Sequence, residues 1–397
     1  MSRKIAIITE RIDVTLGGAE RSVLELASEL SRQDCRVDIL AAKGQAKAKD
    51  IHILCQDSPG RRVSYFTFGR AIRKYLTANR YDIVHSVLPF NFADVYQPRG
   101  GAYAESILRN AASYQNKFVE YYKRMTAFAN FRRAVLLQAE KKICRDSGGP
   151  VIIALSKYVA EQFKRHYGAG TERLVVVPNG INVDRQIDKT EADRLRLQIL
   201  AQSDMRREKD EPVLFLFAAN NFRLKGLNVL IRAMQAIEGA AGKKALLIVA
   251  GRDNPLKYRL LAEELGVEKR IIFLGEVRNI QTVLSIADVA VLPTFYDPAS
   301  RFILEALAAG RPVITTKFNG ATDSFTDGRH GRIINEPENV PALAEAVGYF
   351  TNEANIRSAS EAIIADNLKE EISVARVAEQ LVFVYDLIVN KRKGQIS

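Results

Sequence analysis

The chain has 397 residues, 47% hydrophobic and 26% charged, a globular composition too long for one ordinary core and unlike a disordered or collagenous chain. Its formal net charge of +12 favours an anionic partner, whether nucleic acid, an anionic membrane surface or a phosphorylated ligand. Three dispersed cysteines (Cys35, Cys55, Cys144) form no CxxC pair and four dispersed histidines form no zinc pattern, which argues against a disulfide framework and a structural zinc site.

The apolar run Ile5–Ile8 is too short for a signal-peptide core, and no apolar stretch reaches the roughly 18 residues of a spanning helix. A cytoplasmic protein is expected, attached at most to the inner face of the cytoplasmic membrane. Lys4–Thr9 reads as a buried strand and Gly17-Gly18 as a turn. Ala19–Arg32 carries the helical stripe Val23, Leu24, Leu26, Ala27 and Leu30. Further strands are predicted at Arg36–Ala42, Tyr81–His85, Val151–Leu155 and Leu174–Val177. Between them, Ala104–Arg145 reads as long helix, rich in Lys and Arg and interleaved with Tyr114, Phe118, Tyr121, Tyr122, Phe128 and Phe131. Two readings of it stay open: a face for an anionic membrane surface, or a solvated helix with its aromatics in the core.

After the charged stretch Asp184–Pro212, expected to hold a linker and a surface helix, the alternation restarts. Strands are predicted at Val213–Ala218, Ala245–Ala250, Arg270–Leu274, Val289–Leu292 and Pro312–Thr315, and a closing amphipathic helix at Val374–Val389 before the basic Lys391-Arg392-Lys393. Strands alternating with helices imply parallel, doubly wound sheets. The expected organisation is an N-terminal Rossmann-like domain over 1–184, a C-terminal one over 185–372, and a helix with a basic tail over 373–397.

Three motifs carry chemistry. Gly17-Gly18 opens a helix after the first strand, where backbone can approach an anion closely; it is not GxGxxG, so a nicotinamide site is disfavoured. Asn220–Gly226, containing Arg223 and Lys225, follows strand Val213–Ala218 at the carboxyl edge where open parallel sheets bind ligands, and its cations suit a diphosphate. In Asp297–Gly310, Asp297 is read as N-cap, Pro298 as the first helical residue and Gly310 as the C-terminal stop. Glu305 then falls about 12 Å along the axis from Asp297, spaced to hold two parts of one elongated ligand.

Together, the Gly-Gly loop, the Lys-Gly after the first strand of the second half, and the acid-x7-Glu helix followed by Ala-Gly-x-Pro-Val-Ile resemble retaining glycosyltransferases of family 4, with the GT-B fold. Asp94–Tyr96 and Ala102–Glu105, with the basic helix, also resemble the lipopolysaccharide core glucosyltransferases of that family. The resemblance implies two doubly wound α/β domains facing across a cleft, the last helix crossing back to the first, and hexose transfer from a nucleotide-sugar to a cell-envelope glycan or glycolipid with retention. By resemblance, Arg223 and Lys225 neutralise the diphosphate, with Gly17 and Gly18 approaching it. Glu305 holds the ribose hydroxyls. Asp297 and the amides near Ser300 and Arg301 hold the transferred sugar, and Gly251, Arg252 and Val277 border the nucleotide. Where many members carry an acceptor-side His this chain reads Arg99, and His85 is a second acceptor-side candidate; Asp297 itself replaces the usual Glu. No Asp-x-Asp occurs, so a metal-bridged diphosphate is not expected, and the resemblance implies a nucleotide-sugar co-substrate with no cofactor. A nucleotide-sugar epimerase or a phosphorylase of the same fold remains an alternative. Nucleic-acid binding has only the charge in its favour, since no helix-turn-helix spacing, RNP pattern or zinc finger is found.

Overall fold

The computed structural model describes residues 2–12, 18–46, 48–57, 62–126, 129–184, 187–203, 211–237 and 244–394. They divide into two compact units: Met1–Ala111, Asn116–Ile181 and Ser373–Ser397 in the first, Ala112–Gln115 and Asn182–Ile372 in the second.

The first unit runs β1 (Arg3–Ile12), α1 (Gly18–Arg32), β2 (Cys35–Gly44), β3 (Ile51–Ile53), α2 (Tyr65–Ala78), β4 (Ile83–Ser86), β5 (Val95–Tyr96), α3 (Tyr103–Ala112), α4 (Lys117–Thr126), α5 (Phe131–Arg145), β6 (Val151–Ala154), α6 (Lys157–Tyr167) and β7 (Leu174–Val176). Among the described residues its sheet is parallel throughout, in the order β3-β2-β1-β4-β5-β6-β7. Ile5–Ile8 are almost wholly inaccessible because helices cover both faces of such a sheet, which is why β1 reads as an unbroken apolar run.

The predicted long helix over Ala104–Arg145 is instead three helices. The breaks have local causes. The Asn116 carboxamide oxygen accepts from Phe118 N (2.9 Å) and Val119 N (3.2 Å), and that of Asn130 accepts from Arg133 N (3.2 Å), each starting a new helix by satisfying its first amides. The two readings of the segment divide between helices. α5 buries Leu136, Glu140, Ile143 and Cys144, whereas α4 buries nothing and leaves Phe118, Tyr121, Tyr122 and Met125 exposed. Phe128 lies outside the described residues.

The second unit runs α7 (Lys189–Gln202), β8 (Val213–Ala218), α8 (Leu227–Ala236), β9 (Ala245–Ala250), α9 (Leu256–Glu264), β10 (Ile271–Gly275), α10 (Ile280–Ile286), β11 (Val289–Leu292), α11 (Arg301–Ala308), β12 (Val313–Thr316), β13 (Gly331–Ile334), α12 (Val340–Tyr349), α13 (Glu353–Ala365) and α14 (Leu368–Glu371). Its sheet, also parallel, has the order β10-β9-β8-β11-β12-β13. The last helix, α15 (Val374–Gly394), returns to the first unit. Its Val377, Ala378, Leu381, Val384 and Tyr385 join the core that α1 makes with Val23, Leu26, Ala27 and Leu30. Gly180 permits the approach, since a Cβ there would lie 2.9 Å from Val374 Cα.

The buried face of α5 carries a fully buried acid. Glu140 accepts from Tyr96 Oη (2.7 Å), Tyr103 N (2.8 Å) and Tyr167 Oη. Burial raises its pKa to about 7 although these donors pull the other way. The fold therefore favours the protonated form more than the unfolded chain does. That stabilisation is full below the ordinary value of 4.5 and is lost as pH rises through about 7, a span of roughly 3 kcal/mol. Calorimetric melting between pH 4.5 and 8 should show wild type losing several degrees relative to Glu140→Gln. Parallel pH profiles would contradict this.

Candidate functional site

In the second sheet the strand order reverses between β8 and β11, and the loops after these strands lie side by side at the carboxyl edge, where open parallel sheets bind ligands. The two loops are tied together, since Phe295 N donates to Leu224 O (2.9 Å). Within the first loop, Asn221 Oδ1 accepts from Leu224 N (3.0 Å) and Asp253 Oδ2 accepts from Phe222 N (2.8 Å). Gly226 ends it at φ +80°, and a Cβ there would meet Pro293 O at 2.1 Å, so only glycine lets the loops close.

This frame aims Lys225. Its Nζ lies 2.9 Å from Tyr296 O and 2.6 Å from Asp297 Oδ2, with the two side chains only 18% and 16% exposed. A largely desolvated cation–carboxylate pair thus sits at the switch point of the sheet. Arg223 stays close to the same loop: its guanidinium stacks over the Tyr114 ring at 3.9 Å and donates to Ser113 Oγ, both from the Ala112–Gln115 segment grouped with this unit.

The helix after β11 begins later than its sequence suggests. Asp297 is not its N-cap and Pro298 is not its first residue: α11 starts at Arg301, capped by Ser300, whose side chain accepts from Ile303 N. The local grammar is overridden by distant partners. Asp297 N donates to Phe318 O (2.9 Å), Gly320 N donates to Asp297 O (2.8 Å), and the Asp297 carboxylate is taken by Lys225. Asn319, wholly buried, catches Ser300 N (3.2 Å) and Ala321 N (3.1 Å) on its Oδ1 and donates to Thr315 Oγ1 (2.9 Å). The segment Asp297–Ala299 is therefore held non-helical. Gly310, at φ +69°, does follow the helix end. Glu305 is only 7% exposed, which excludes a plain surface glutamate; its Oε1 lies 3.6 Å from Arg301 Nη2.

Gly251 follows β9 at φ +145°, where a Cβ would sit 1.7 Å from Ala219 O. Its N donates to Gly275 O (2.7 Å), so the β8, β9 and β10 carboxyl ends crowd together. Arg252 pairs with Glu276 (3.0 Å), beside the half-buried Val277. Arg223, Lys225, Gly251, Arg252, Val277, Asp297, Ser300 and Arg301 thus lie on loops or at the start of α11 along one edge of the second sheet, and Glu305 lies one turn into that helix. Asn319 and Asp253 organise this edge and were not anticipated; the Asn319-Gly320 turn dipeptide was the available signal for the first.

In the first unit, Gly18 opens α1, while Gly17 lies outside the described residues. Arg99 Nη1 donates to Ser22 Oγ (2.9 Å) and Asn179 Oδ1 (3.2 Å). The acceptor-side expectation for His85 is corrected. It has no exposed surface, its Nδ1 is 2.6 Å from Tyr385 Oη on α15, and burial lowers its pKa to about 3. It is a neutral core side chain joining β4 to α15. Among the described residues, no group of three or more His, Cys, Asp or Glu could hold a metal ion.

Comparison with known proteins agrees with this architecture. Residues 16–185 match the family described as Glycosyltransferase Family 4, and residues 198–364 match Glycosyl transferases group 1. The lipopolysaccharide glucosyltransferase WaaG of Escherichia coli (strain K12) is 25% identical over 353 residues, covering 86% of this chain and 88% of that protein. A crystal structure of WaaG superposes with a TM-score of 0.73 at 21% identity, over 97% of this chain and 99% of that one. Anabaena Alr3699/HepE in complex with UDP and glucose superposes with a TM-score of 0.67 at 17% identity, over 97% and 99% of the two chains.

Asn319 provides a direct check of how the edge is built. Asn319→Ala strands two buried amide donors, at about 1–3 kcal/mol each. Its melting temperature should fall by several degrees with the circular dichroism spectrum retained. An unchanged melting temperature would show that the Asn319 contacts do not hold the loop.

Proposed function

Since the chain is a GT-B glycosyltransferase, with a family 4 domain followed by a group 1 domain, we propose that it moves a hexose from a UDP-sugar to a cell-envelope glycan or glycolipid of the lipopolysaccharide-core kind, with retention of configuration. The observation that carries this reading is the placement of Lys225, desolvated and aimed, at the switch point of the second sheet. The WaaG relative supports the acceptor class, and the UDP complex of HepE supports the nucleotide.

In this reading the diphosphate lies against Lys225 and Arg223, and the buried Glu305 accepts the ribose hydroxyls. Asp297 and the amides of Ser300 and Arg301 hold the transferred sugar, while Gly251, Arg252 and Val277 border the nucleotide. The bond from the anomeric carbon to the diphosphate oxygen breaks as the acceptor oxygen bonds the same face of that carbon, and the acceptor proton passes to the leaving diphosphate. Negative charge grows on the diphosphate in that step, so preorganised cations act where charge develops. Lys225 exchanges part of its hold on Asp297 for the phosphate, and the released carboxylate faces the sugar hydroxyls. Gly18, at the N-terminus of α1, favours an anionic group, and Arg99 offers its cation to the acceptor side.

The first unit also supplies a membrane contact at the inner face of the cytoplasmic membrane. The exposed Phe118, Tyr121, Tyr122 and Met125 of α4, with Lys117, Lys123 and Arg124, suit an anionic interface. No helix among the described residues is long and apolar enough to cross a membrane.

A thermal-shift screen of nucleotide sugars should single out UDP-sugars, since a donor at about 100 times its Kd adds about 2.7 kcal/mol of stability. Lys225→Ala should lower kcat/KM about 100-fold or more with the fold intact. Glu305→Gln should act chiefly through donor affinity, raising KM about tenfold. Wild-type turnover in both variants with every donor tested would sink the site assignment, and interconversion of nucleotide sugars without transfer would favour an epimerase.

A further inference from the structure

On the first unit, a cavity of about 660 Å³ lies between α2, α5 and the loop after β4. Its floor is an aromatic stack. Tyr65 and Phe90 stack at 4.7 Å between centroids and Phe90 and Phe92 at 5.0 Å, while Tyr65 Oη is used up on Pro89 O (2.7 Å). Gly69 lets Phe90 approach, since a Cβ there would already lie 3.1 Å from the ring. The wall from α5 is made largely of Ala134, Val135 and Ala139. A preformed apolar slot of this size suits an extended hydrocarbon.

The charge around it has one sign. Arg70, Arg73 and Lys142 line it, no acid does, and among the described residues none of the three bases is ion-paired. Arg73 is held in place over the Phe92 ring at 4.5 Å and by Asn91 Oδ1 at 3.1 Å. The two walls also run in the same direction, because α2 and α5 each lead back to the start of a parallel strand, β4 and β6. On α2, Phe66 (57% exposed) and Arg73 are therefore roughly 10 Å apart along the axis, and on α5 the exposed Phe131 precedes the wall residues and Lys142 follows it by roughly 16 Å, aromatics toward the helix starts and bases toward the ends. A slot with an aromatic floor, exposed aromatics toward the helix starts and only bases among its charged lining fits an amphiphile with an anionic head.

We propose that the α2–α5 groove takes an acyl chain of an anionic phospholipid, with the phosphate on Arg73 and Lys142 and the chain leaving past Phe66 and Phe131. This rests on the reading that the first unit meets a membrane, to which it adds a seat for a single lipid. Charge complementarity favours this occupant over a neutral lipid or an acidic, helical partner segment, neither of which needs both ends.

The test separates the groove from α4. Binding of dihexanoyl phosphatidylglycerol, kept below its micelle concentration, is measured by titration calorimetry on the full chain. Sedimentation with phosphatidylglycerol vesicles is measured in parallel. Wild type should bind the monomeric lipid one to one. Ala139→Trp, which fills the slot, and Arg73→Ala with Lys142→Ala, which remove the head contacts, should each weaken binding at least tenfold, with the melting temperature checked. The paired surface substitutions keep the test valid if Ala139→Trp fails to fold. Phe118→Ser with Tyr122→Ser should lower vesicle sedimentation and leave monomer binding unchanged. Absence of one-to-one binding, or binding indifferent to both groove variants, would overturn the proposal even where vesicle sedimentation persists; equal binding of dihexanoyl phosphatidylcholine would overturn the role of the bases.

Discussion

The second unit is organised around the contact between Lys225 and Asp297. One residue comes from the loop after β8, the other from the loop after β11, and 72 positions of sequence separate them. Such a pair is mostly desolvated, so breaking it by removing one partner leaves a charge that the surroundings do not compensate. The main-chain link from Phe295 to Leu224 and the close approach of Gly226 to Pro293 hold the loops in register, so the ion pair fixes a direction more than it supplies stability. In the proposed reading, a cation held this way is preorganised for a diphosphate, and the carboxylate beside it for the sugar that the diphosphate carries.

Much of the fold could be read from the sequence for a simple physical reason. In β8, β9 and β11 nearly every side chain is buried, so unbroken apolar runs give their limits residue for residue. β3 and β13 are hidden because His52 and the Gly331-Arg332 start interrupt their short apolar runs, and β5 because two residues carry no period. The long basic helix was misread because the Asn116 and Asn130 caps are weak signals amid strong helix formers. The start of α11 was misread for the opposite reason. Asp297-Pro298 looks like a cap and first turn, but Lys225, Phe318 and Asn319 reach it from afar, and tertiary contacts outweigh local propensity. His85 failed as a site residue because its partner, Tyr385, lies 300 positions away.

The candidate site was more legible than these boundaries. Cations and glycine after a strand, and a glutamate within a short apolar helix, are local patterns, and the sheet order brings them to one edge. What no local pattern could give was the scaffold: Asn319 catching two amides, Asp253 bracing the Phe222 turn, and Gly251 fitting against Ala219. In the first unit the proposed membrane contact rests on the distribution of charge. Burial of α5 and exposure of α4 turn one basic segment into a structural half and a surface half, and the α2–α5 groove lies on the structural half.

A crystal structure of the chain with UDP bound tests the central claim most directly. Phosphate oxygens are expected within hydrogen-bonding reach of Lys225 Nζ, the ribose hydroxyls on Glu305, and the Lys225–Asp297 contact lengthened or shared. A diphosphate bound away from the β8 and β11 loops, with Lys225 still closed on Asp297, would contradict it.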